Sequence, residues 1–510
     1  MDADPVPLHG LTLTQRERRA PLILPALVLF LALALRILTL GIDARFHPDE
    51  ALFAAQARLV SHAGDWLLRS TDLDKPPLTL YATALSFRLL GPTEFAARLP
   101  NVLFSGLSVA LAYRLAQTLH RDRAVSLLAA LLCALSPYLL AFTPTAFTDG
   151  QATFWALLAA LLAARDRWGW AGGATALAFA AKTTALWAVP LIVALGLART
   201  AHPAWRDALA RLARYALPLL AGIALLVLWD LGRAPRSFFS LGYARNNPDR
   251  LIRSDELGPR LEAWGHWLSF ATGSPALNAL LAALVPAWLV TRLFSTDAPA
   301  APLRLKRPSP TRQAALDWII AAYTVALLGG LWLIAFNTYD RYLHTLVPFG
   351  LLLAARALVG ALRRLSAHPA LRLATGAALI AAMLPGTLTA LRGQAPLAGD
   401  QGAHSGIDAL ADFLNTELPG EIVYDHWLGW ELAFYLGATP RVTVVYQPRP
   451  DALAGELVGC GCRRHLVAPQ GAQLAPWLAA LTRAGVTATA VYRDVAGHFA
   501  VYRMDAPAQH

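Results

Sequence analysis

Several short charged stretches in this chain hold residue types that move protons or bind phosphate. Arg45-Phe46-His47-Pro48-Asp49-Glu50 places two acids directly after a proline. Proline suits the first turn of a helix, and acids there favour the positive end of the helix dipole. The carboxylate of Asp49, held at a membrane surface, also suits a general base, and one helix start can serve both purposes. The residues that follow, through Val60, carry Leu52, Ala55 and Leu59 on one side and suit an interfacial helix. In Asp72-Leu73-Asp74-Lys75-Pro76-Pro77 the prolines open a helix over Leu78–Leu90. Lys75 beside it either is incidental or neutralises a phosphate.

Further along, Asp149 follows Thr143–Thr148 and either caps a helix or is a functional acid at the end of a span. Lys182, in Ala180-Ala181-Lys182-Thr183-Thr184, has apolar helix on both sides, so it either snorkels or meets an anion. In Tyr339-Asp340-Arg341-Tyr342-Leu343, Arg341 pairs either with Asp340 or with a phosphate. Arg98, in Glu94-Phe95-Ala96-Ala97-Arg98-Leu99-Pro100, reads as an outer-end anchor. Arg233, Arg236, Arg245, Arg250, Arg253 and Arg260 sit with Tyr243, Trp264, His266 and Trp267. They form either a solvated or headgroup-facing surface or a contact for an anionic lipid.

These groups do chemistry together only if the fold gathers them. Of the 510 residues, 56% are hydrophobic and 15% charged. A soluble domain carries roughly 25% charged residues, so the deficit points to lipid. A span needs about 20 mostly apolar residues. The first run, Pro21 to Gly41, follows the basic residues Arg16, Arg18 and Arg19 and is too long for a signal-peptide core. Arg36 within it either snorkels or faces the bundle interior. Further runs lie at 96–119, 124–142, 148–165, 170–182, 183–199, 214–231, 274–294, 315–336, 342–361 and 370–391. The fold class is therefore a polytopic α-helical membrane protein of about eleven spans.

The stretch 170–199 is the ambiguous one, and the positive-inside rule decides it. With a break near Lys182, the short basic connections all fall on the side of the N-terminus. They carry Arg121 and Arg123; Arg165 and Arg167; Arg199, Arg206, Arg211 and Arg214; Arg304, Lys306, Arg307 and Arg312; and Arg363, Arg364 and Arg372. Without the break, every later loop inverts. The net charge of +11, from 44 Lys+Arg against 33 Asp+Glu, thus marks cytoplasmic loops, and no nucleic-acid partner is expected. The expected setting is the cytoplasmic (inner) membrane, with residues 1–20 inside. The transmembrane domain spans 21–392 and sends out loops 42–95 and 232–273; the loop 295–313 is a flexible inner connector.

The tail, 393–510, reads as a soluble α/β domain on the outer side. Ser405–Leu418, Trp427–Leu436 and Leu474–Ala484 look helical. Glu421–Tyr424 and Arg441–Tyr446 look extended, and Val486–Arg493 suits pairing with His498–Arg503. Three cysteines are too few for a disulfide framework. Cys133 reads as apolar packing, and Cys460-Gly461-Cys462 as structural or incidental.

This topology puts Asp49, Asp74, Lys75, Asp149, Lys182 and Arg341 at one outer face. Acids and cations gathered there suit transfer from a lipid phosphate. Cations stabilise the phosphate as a leaving group, and one base deprotonates an acceptor hydroxyl. A metal bridging carboxylate and phosphate would add Lewis-acid help.

At these residues the chain resembles the GT-C superfamily of polyprenyl-phosphate-sugar glycosyltransferases. It is most similar to the group of protein O-mannosyltransferases and lipid A aminoarabinose transferases. The resemblance spans roughly 20–395. It rests on His47-Pro48-Asp49-Glu50, Lys75-Pro76-Pro77, Glu94 to Pro100, Asp149, and Arg341-Tyr342-Leu343 with Pro348. It implies catalytic acids at Asp49 and Asp149 and a phosphate contact by Lys75; Lys182 and Arg341, at the same face, are the further candidate phosphate contacts. Glu50, Tyr342 and Arg98 become candidate substrate contacts. In the aminoarabinose enzymes an acid before the Lys-Pro can bind metal; Asp74 holds that place here, with His266 a possible partner for a divalent metal. Leu52-Phe53 replaces the Arg-Tyr of those enzymes.

The expected activity is inverting transfer of a sugar from a polyprenyl-phosphate donor to an acceptor glycan, lipid or protein outside the membrane. A lipid or sugar transporter is the alternative from another class, and a non-catalytic carrier-lipid-binding homologue is a third. Transporters keep charges near the midplane in repeated halves; no such repeat is present.

Overall fold

The structure is a computed structural model of the chain. It describes residues 15–199, 204–235, 237–246, 248, 250–294, 310–365 and 368–507. The side chains of Arg16, Arg18 and Arg19, and Arg236 with most of the loop 295–313, lie outside the described residues.

The chain opens with α1 (Gln15–Thr39), then α2 (Pro48–His62) and α3 (Leu78–Leu90). A long α4 (Glu94–His120) precedes α5 (Arg123–Leu135), the short α6 (Pro137–Ala141), α7 (Asp149–Ala164), α8 (Trp168–Ala181) and α9 (Val189–Arg199). Then come α10 (Trp205–Leu231), α11 (Phe238–Asn246), α12 (Leu257–Ser269), α13 (Pro275–Leu293), α14 (Pro310–Leu333), α15 (Leu346–Leu365), α16 (Pro369–Ala381) and α17 (Leu384–Leu391). Among the described residues, six helical stretches are long and apolar enough to cross a membrane: α4, α10, α13, α14, α15 through Arg364, and Pro369–Leu391. Ile23–Thr39, α5, α7 and Thr183–Arg199 are shorter apolar helices. This is a multi-pass membrane protein.

The stretch 170–199 is broken at Lys182. Helix α8 ends at Ala181, Lys182 is extended (φ −156°, ψ 130°), and a tight turn over Thr183–Ala188 leads into α9. The chain then doubles back. Lys182 Nζ lies 2.5 Å from Asp149 at the start of α7. At the opposite end, a Cβ on Gly196 of α9 would come within 2.6 Å of the Trp168 indole at the start of α8. The absence of a side chain at Gly196 is what lets these helices approach. The short basic connections gather at that second end: Arg211 meets Asp166 at 2.8 Å, and Arg363 meets Asp122.

Arg36 faces the bundle interior. It is fully buried and donates to Ser105 Oγ (2.8 Å) and to the carbonyls of Cys133 (3.0 Å) and Ala134 (3.2 Å). Those carbonyls lie in the last turn of α5, where intrahelical partners run out. The arginine therefore ties α1, α4 and α5 together without a carboxylate.

The C-terminal segment forms a three-layer α/β unit. Strands β1 (Ile422–Asp425), β2 (Thr443–Tyr446), β3 (Arg463–Pro469), β4 (Thr487–Arg493) and β5 (Phe499–Asp505) make one sheet in the order β2-β1-β3-β5-β4. β1 runs parallel to β2 and β3, while β5 is antiparallel to β3 and β4. Period-two alternation feeds two cores. Val423, Val467 and Val501 pack under α18 (Ile407–Glu417) and α19 (Gly429–Tyr435). Tyr424, Leu466 and Tyr502 pack under α20 (Pro450–Cys460) and α21 (Ala475–Arg483). Helix α20 and the central strand β3 have no counterpart in the sequence reading. Cys460 and Cys462 are joined in a disulfide, because Gly461 at φ +58° turns the chain back as α20 ends.

Candidate active site

The start of α2 positions the first acid. Pro48 occupies the first turn, His47 Nδ1 accepts from the Asp49 amide (3.1 Å), and Glu50 Oε2 accepts from the His47 amide (3.1 Å). This reciprocal box satisfies amides that the helix leaves unpaired. It leaves the Asp49 carboxylate free to reach across to Arg341, at 2.6 Å. Burial pushes the Asp49 carboxyl up, but Arg341, aided by His47 and Lys75, outweighs it and holds the group below its ordinary value. Burial likewise lowers the Arg341 guanidinium, and the charges of Asp49 and Asp149 more than reverse this. Both groups are ionised at neutral pH. The guanidinium lies over the Tyr339 and Phe147 rings, 4.6 and 5.0 Å from their centroids.

Arg341 does not pair with its neighbour. Asp340 uses one carboxylate oxygen to accept from the Arg341 backbone amide (2.7 Å) and the other to accept from the Ala398 amide (2.9 Å). Asp149 and Lys182 form a second pair, with the ammonium also 5.1 Å from the Tyr342 ring centroid. Burial holds the Tyr342 phenol up at about 12, so it stays neutral. Lys75 lies 2.8 Å from Asp74.

One cavity brings the three cations together. It has a volume of about 260 Å³, and Lys75, Lys182 and Arg341 all line it, with Tyr342, Trp187 and Phe238 among its apolar walls. Three cations meet there on a partly aromatic surface. That combination suits a phosphate joined to an apolar chain.

The remaining expected residues fall elsewhere. Glu50 is fully buried, and its Oε1 accepts from the Ala146 amide (2.8 Å) and from Arg98 Nε (3.4 Å). Arg98 also donates to the carbonyls of Ala44 (2.8 Å) and Arg45 (3.2 Å). Both side chains are thus spent on building the helix start. His266 is exposed on α12 and packs edge-on against Phe270, 5.3 Å between centroids. Among the described residues, no group of three His, Cys, Asp or Glu side chains is placed to hold a metal ion. Asp49, Asp74 and Asp149 each face a cation in this arrangement.

The arginines between α10 and α13 divide between scaffold and surface. Arg233 is buried and donates to the carbonyls of Leu67 (2.9 Å) and Thr71 (3.1 Å), fastening the end of α10 to the segment between α2 and α3. Arg260, also buried, meets Glu256 and the carbonyls of Ile334 and Phe336. Arg245 and Arg250 are exposed. The sequence reading missed Tyr435 and Phe434 on α19, which pack on the approach to α2: Phe434 lies 4.8 Å from Phe46, and the Phe46 amide donates to Tyr435 Oη at 2.9 Å. Nothing in their local spacing marks them.

Comparison with solved structures decides the architecture. ArnT from Cupriavidus metallidurans bound to undecaprenyl phosphate superposes with a TM-score of 0.65, covering 94% of this chain and 97% of that one at 16% identity. This is the GT-C fold. The archaeal oligosaccharyltransferase AglB from Archaeoglobus fulgidus, in complex with an inhibitory peptide and a dolichol-phosphate, shares it with a TM-score of 0.53 at 11% identity. That match covers 96% of this chain and 74% of AglB. In sequence, a family model described as dolichyl-phosphate-mannose-protein mannosyltransferase matches residues 74–229. An undecaprenyl phosphate-α-4-amino-4-deoxy-L-arabinose arabinosyl transferase of Pseudomonas aeruginosa (strain LESB58) is 32% identical over 200 residues. That is 36% of each chain, so the match spans about a third of the curated relative's length.

Proposed function

We propose that this chain is an inverting glycosyltransferase that moves a sugar from a polyprenyl-phosphate donor to an acceptor on the outer side of the cytoplasmic membrane. The observation that carries this reading is the cavity lined by Lys75, Lys182 and Arg341, with Asp49 paired to Arg341, one of its lining cations. The relative from Pseudomonas aeruginosa, whose name specifies an undecaprenyl-phosphate sugar, supports the donor class. The basic connections at the opposite end of the bundle support an N-terminus inside and a C-terminal unit outside.

In the reaction, the acceptor hydroxyl attacks the anomeric carbon while the bond from that carbon to the phosphate oxygen breaks. The phosphate leaves with the electron pair, still attached to its polyprenyl chain. Lys75, Lys182 and Arg341 stabilise the charge that grows on it. Asp49 takes the acceptor proton. Because Arg341 serves both cavity and carboxylate, an arriving phosphate shares its guanidinium. The hold on Asp49 then weakens, and its basicity rises when donor is present. Asp149 keeps Lys182 charged and directed to the cavity. Glu50 and Arg98 act as scaffold, and no step is routed through a metal.

Asp49→Asn keeps the helix start and removes the base. Release of free undecaprenyl phosphate from a labelled undecaprenyl-phosphate sugar should fall about a thousandfold, within the range that general-base catalysis supplies. The variant should elute from size exclusion as the parent does. Near-parental release by this variant would remove Asp49 from the reaction.

A further inference from the structure

The pair Asp49–Arg341 joins two distant parts of the membrane domain, and the C-terminal unit, together with the segment that leads into it, contacts the chain close to each member. On the Asp49 side the contact is Tyr435, the last residue of α19. Its hydroxyl accepts from the amide of Phe46, immediately before the capping residue His47. The same hydroxyl donates to Glu94 at the start of α4, and Glu94 pairs with Arg45 at 3.1 Å. Burial, with the Glu94 charge beside it, pushes the phenol far up, so it remains a donor. Arg45 also reaches Asp408 of α18 at 3.0 Å. Further along α2, Arg58 donates to the carbonyls of Phe434 (2.7 Å) and Ala433 at the end of α19.

On the Arg341 side the contact is Asp340. Its carboxylate bridges the Arg341 amide and the Ala398 amide, and its carbonyl accepts from Tyr138 Oη at 2.6 Å. Ala398 sits at φ +54° within the segment that leads into the C-terminal unit. Two different pieces of that segment therefore fix the backbones that carry the base and its cation. A unit that only capped the site, or only bound an acceptor, would not need to hold both.

We infer that the C-terminal unit is a positioning element of the catalytic site, with Tyr435 and Asp340 as positioning residues that set the distance between Asp49 and Arg341. Neither touches substrate. Tyr435 acts through the Phe46 amide and the first turn of α2, and Asp340 acts through the Arg341 backbone. The activity consequence rests on the transferase reading above; the structural consequence does not.

The test uses the full-length protein in lipid nanodiscs. Tyr435→Phe keeps the ring against Phe46 and removes only the hydroxyl. Hydrogen exchange of a peptide covering 44–52 should accelerate about tenfold, because local opening loses one hydrogen bond, while peptides from β3 and β5 stay as in the parent. With a labelled undecaprenyl-phosphate sugar, kcat for release of undecaprenyl phosphate should drop about tenfold with KM for the donor unchanged. A lost positioning contact predicts that split; a partly unfolded population would instead lower the active fraction and loosen β3 and β5 as well. Asp340→Asn gives an independent arm, with kcat about threefold lower and exchange faster around 338–345.

Unchanged exchange at 44–52 in Tyr435→Phe would overturn the inference, and so would faster exchange with parental kcat. If Tyr435→Phe does not fold, Asp340→Asn decides by the same criteria. Asp49→Asn run alongside separates the two claims. Full release by that variant sinks the catalytic assignment of Asp49, whereas its inactivity beside a fully active Tyr435→Phe sinks only the positioning role.

Discussion

Both ends of the helical bundle bury charge, but they use it differently. At one end Lys75, Lys182 and Arg341 line a cavity, and the acids Asp49, Asp74 and Asp149 each face one of them. At the other end Asp317 is fully buried and accepts from Trp288 Nε1 (3.1 Å), with Arg292 at 3.5 Å and Arg356 at 3.7 Å. Arg292, Arg356 and Arg364 all lie over the Trp288 ring, at 5.1 to 5.2 Å from its centroid. These cations turn to an indole and a carboxylate, not to a cavity. A buried ion cluster in a membrane protein is thus not itself a site. What marks one is charge that lines space a ligand can fill.

The largest expected effect separates the ends most sharply. Arg341→Gln removes a phosphate contact and the partner of Asp49 together. Loss of one charge-stabilising donor costs about 10²–10³ in rate, and kcat/KM should fall by that much. The pH profile should also move in a definite direction. The base must be ionised, and Arg341 holds the Asp49 carboxyl below its ordinary value. The acid limb of kcat/KM in the parent therefore lies below the usual carboxylate range. Without Arg341, burial dominates, the carboxyl rises, and the limb moves to higher pH. A profile that loses height but keeps its acid limb would mean that Asp49 is not the titrating base.

Asp317→Asn should give the opposite pattern. The amide still accepts from Trp288, but Arg292 and Arg356 lose their shared counter-charge. Removing one partner of a buried cluster costs about 3–5 kcal/mol of stability. The melting temperature in detergent should fall, while kcat and donor KM of the folded fraction stay parental. A rate loss of tenfold or more without loss of stability would mean that the far end communicates with the cavity.

This contrast explains what was legible in the sequence. The break at Lys182 followed from the basic loops alone, since the charge rule constrains each short connection. The acids of α2 were legible because Pro48, Asp49 and Glu50 sit in the local order that a helix start requires. The gathering of Lys75, Lys182 and Arg341 on one face followed from counting crossings, which fixes the end of the bundle and not the distance. The partner of Arg341 was not legible: the sequence offered Asp340, one residue away, or a phosphate, and nothing local pointed to Asp49. Tyr435 was hidden for a stronger reason. Its role depends on docking between units 389 positions apart in the chain, and an aromatic at the end of a short helix carries no local sign of it. Glu50 and Arg98 were identified as substrate contacts by company with Asp49, yet burial turns them to scaffold.

The smallest effect concerns Asp122 and Arg363, an ion pair at the basic end that resembles the cavity-end pairs on paper. Arg363 donates to both Asp122 oxygens, but its side chain is 40% exposed. Asp122 has other work, because it caps α5 by accepting from the amides of Ala124 (3.0 Å) and Val125 (3.3 Å). Arg363→Ala leaves that cap in place and frees the carboxylate to water. Asp122 itself is only 10% exposed, so the pair is half-buried; at about 1 kcal/mol, the upper end for a surface pair, stability should change little and turnover not at all. Asp122→Ala should cost more than Arg363→Ala, by about 1 kcal/mol for the lost cap. Equal losses in the two variants would mean that the ion pair, not the cap, is what Asp122 contributes. The basic end would then depend on charge pairing in the way the cavity end does.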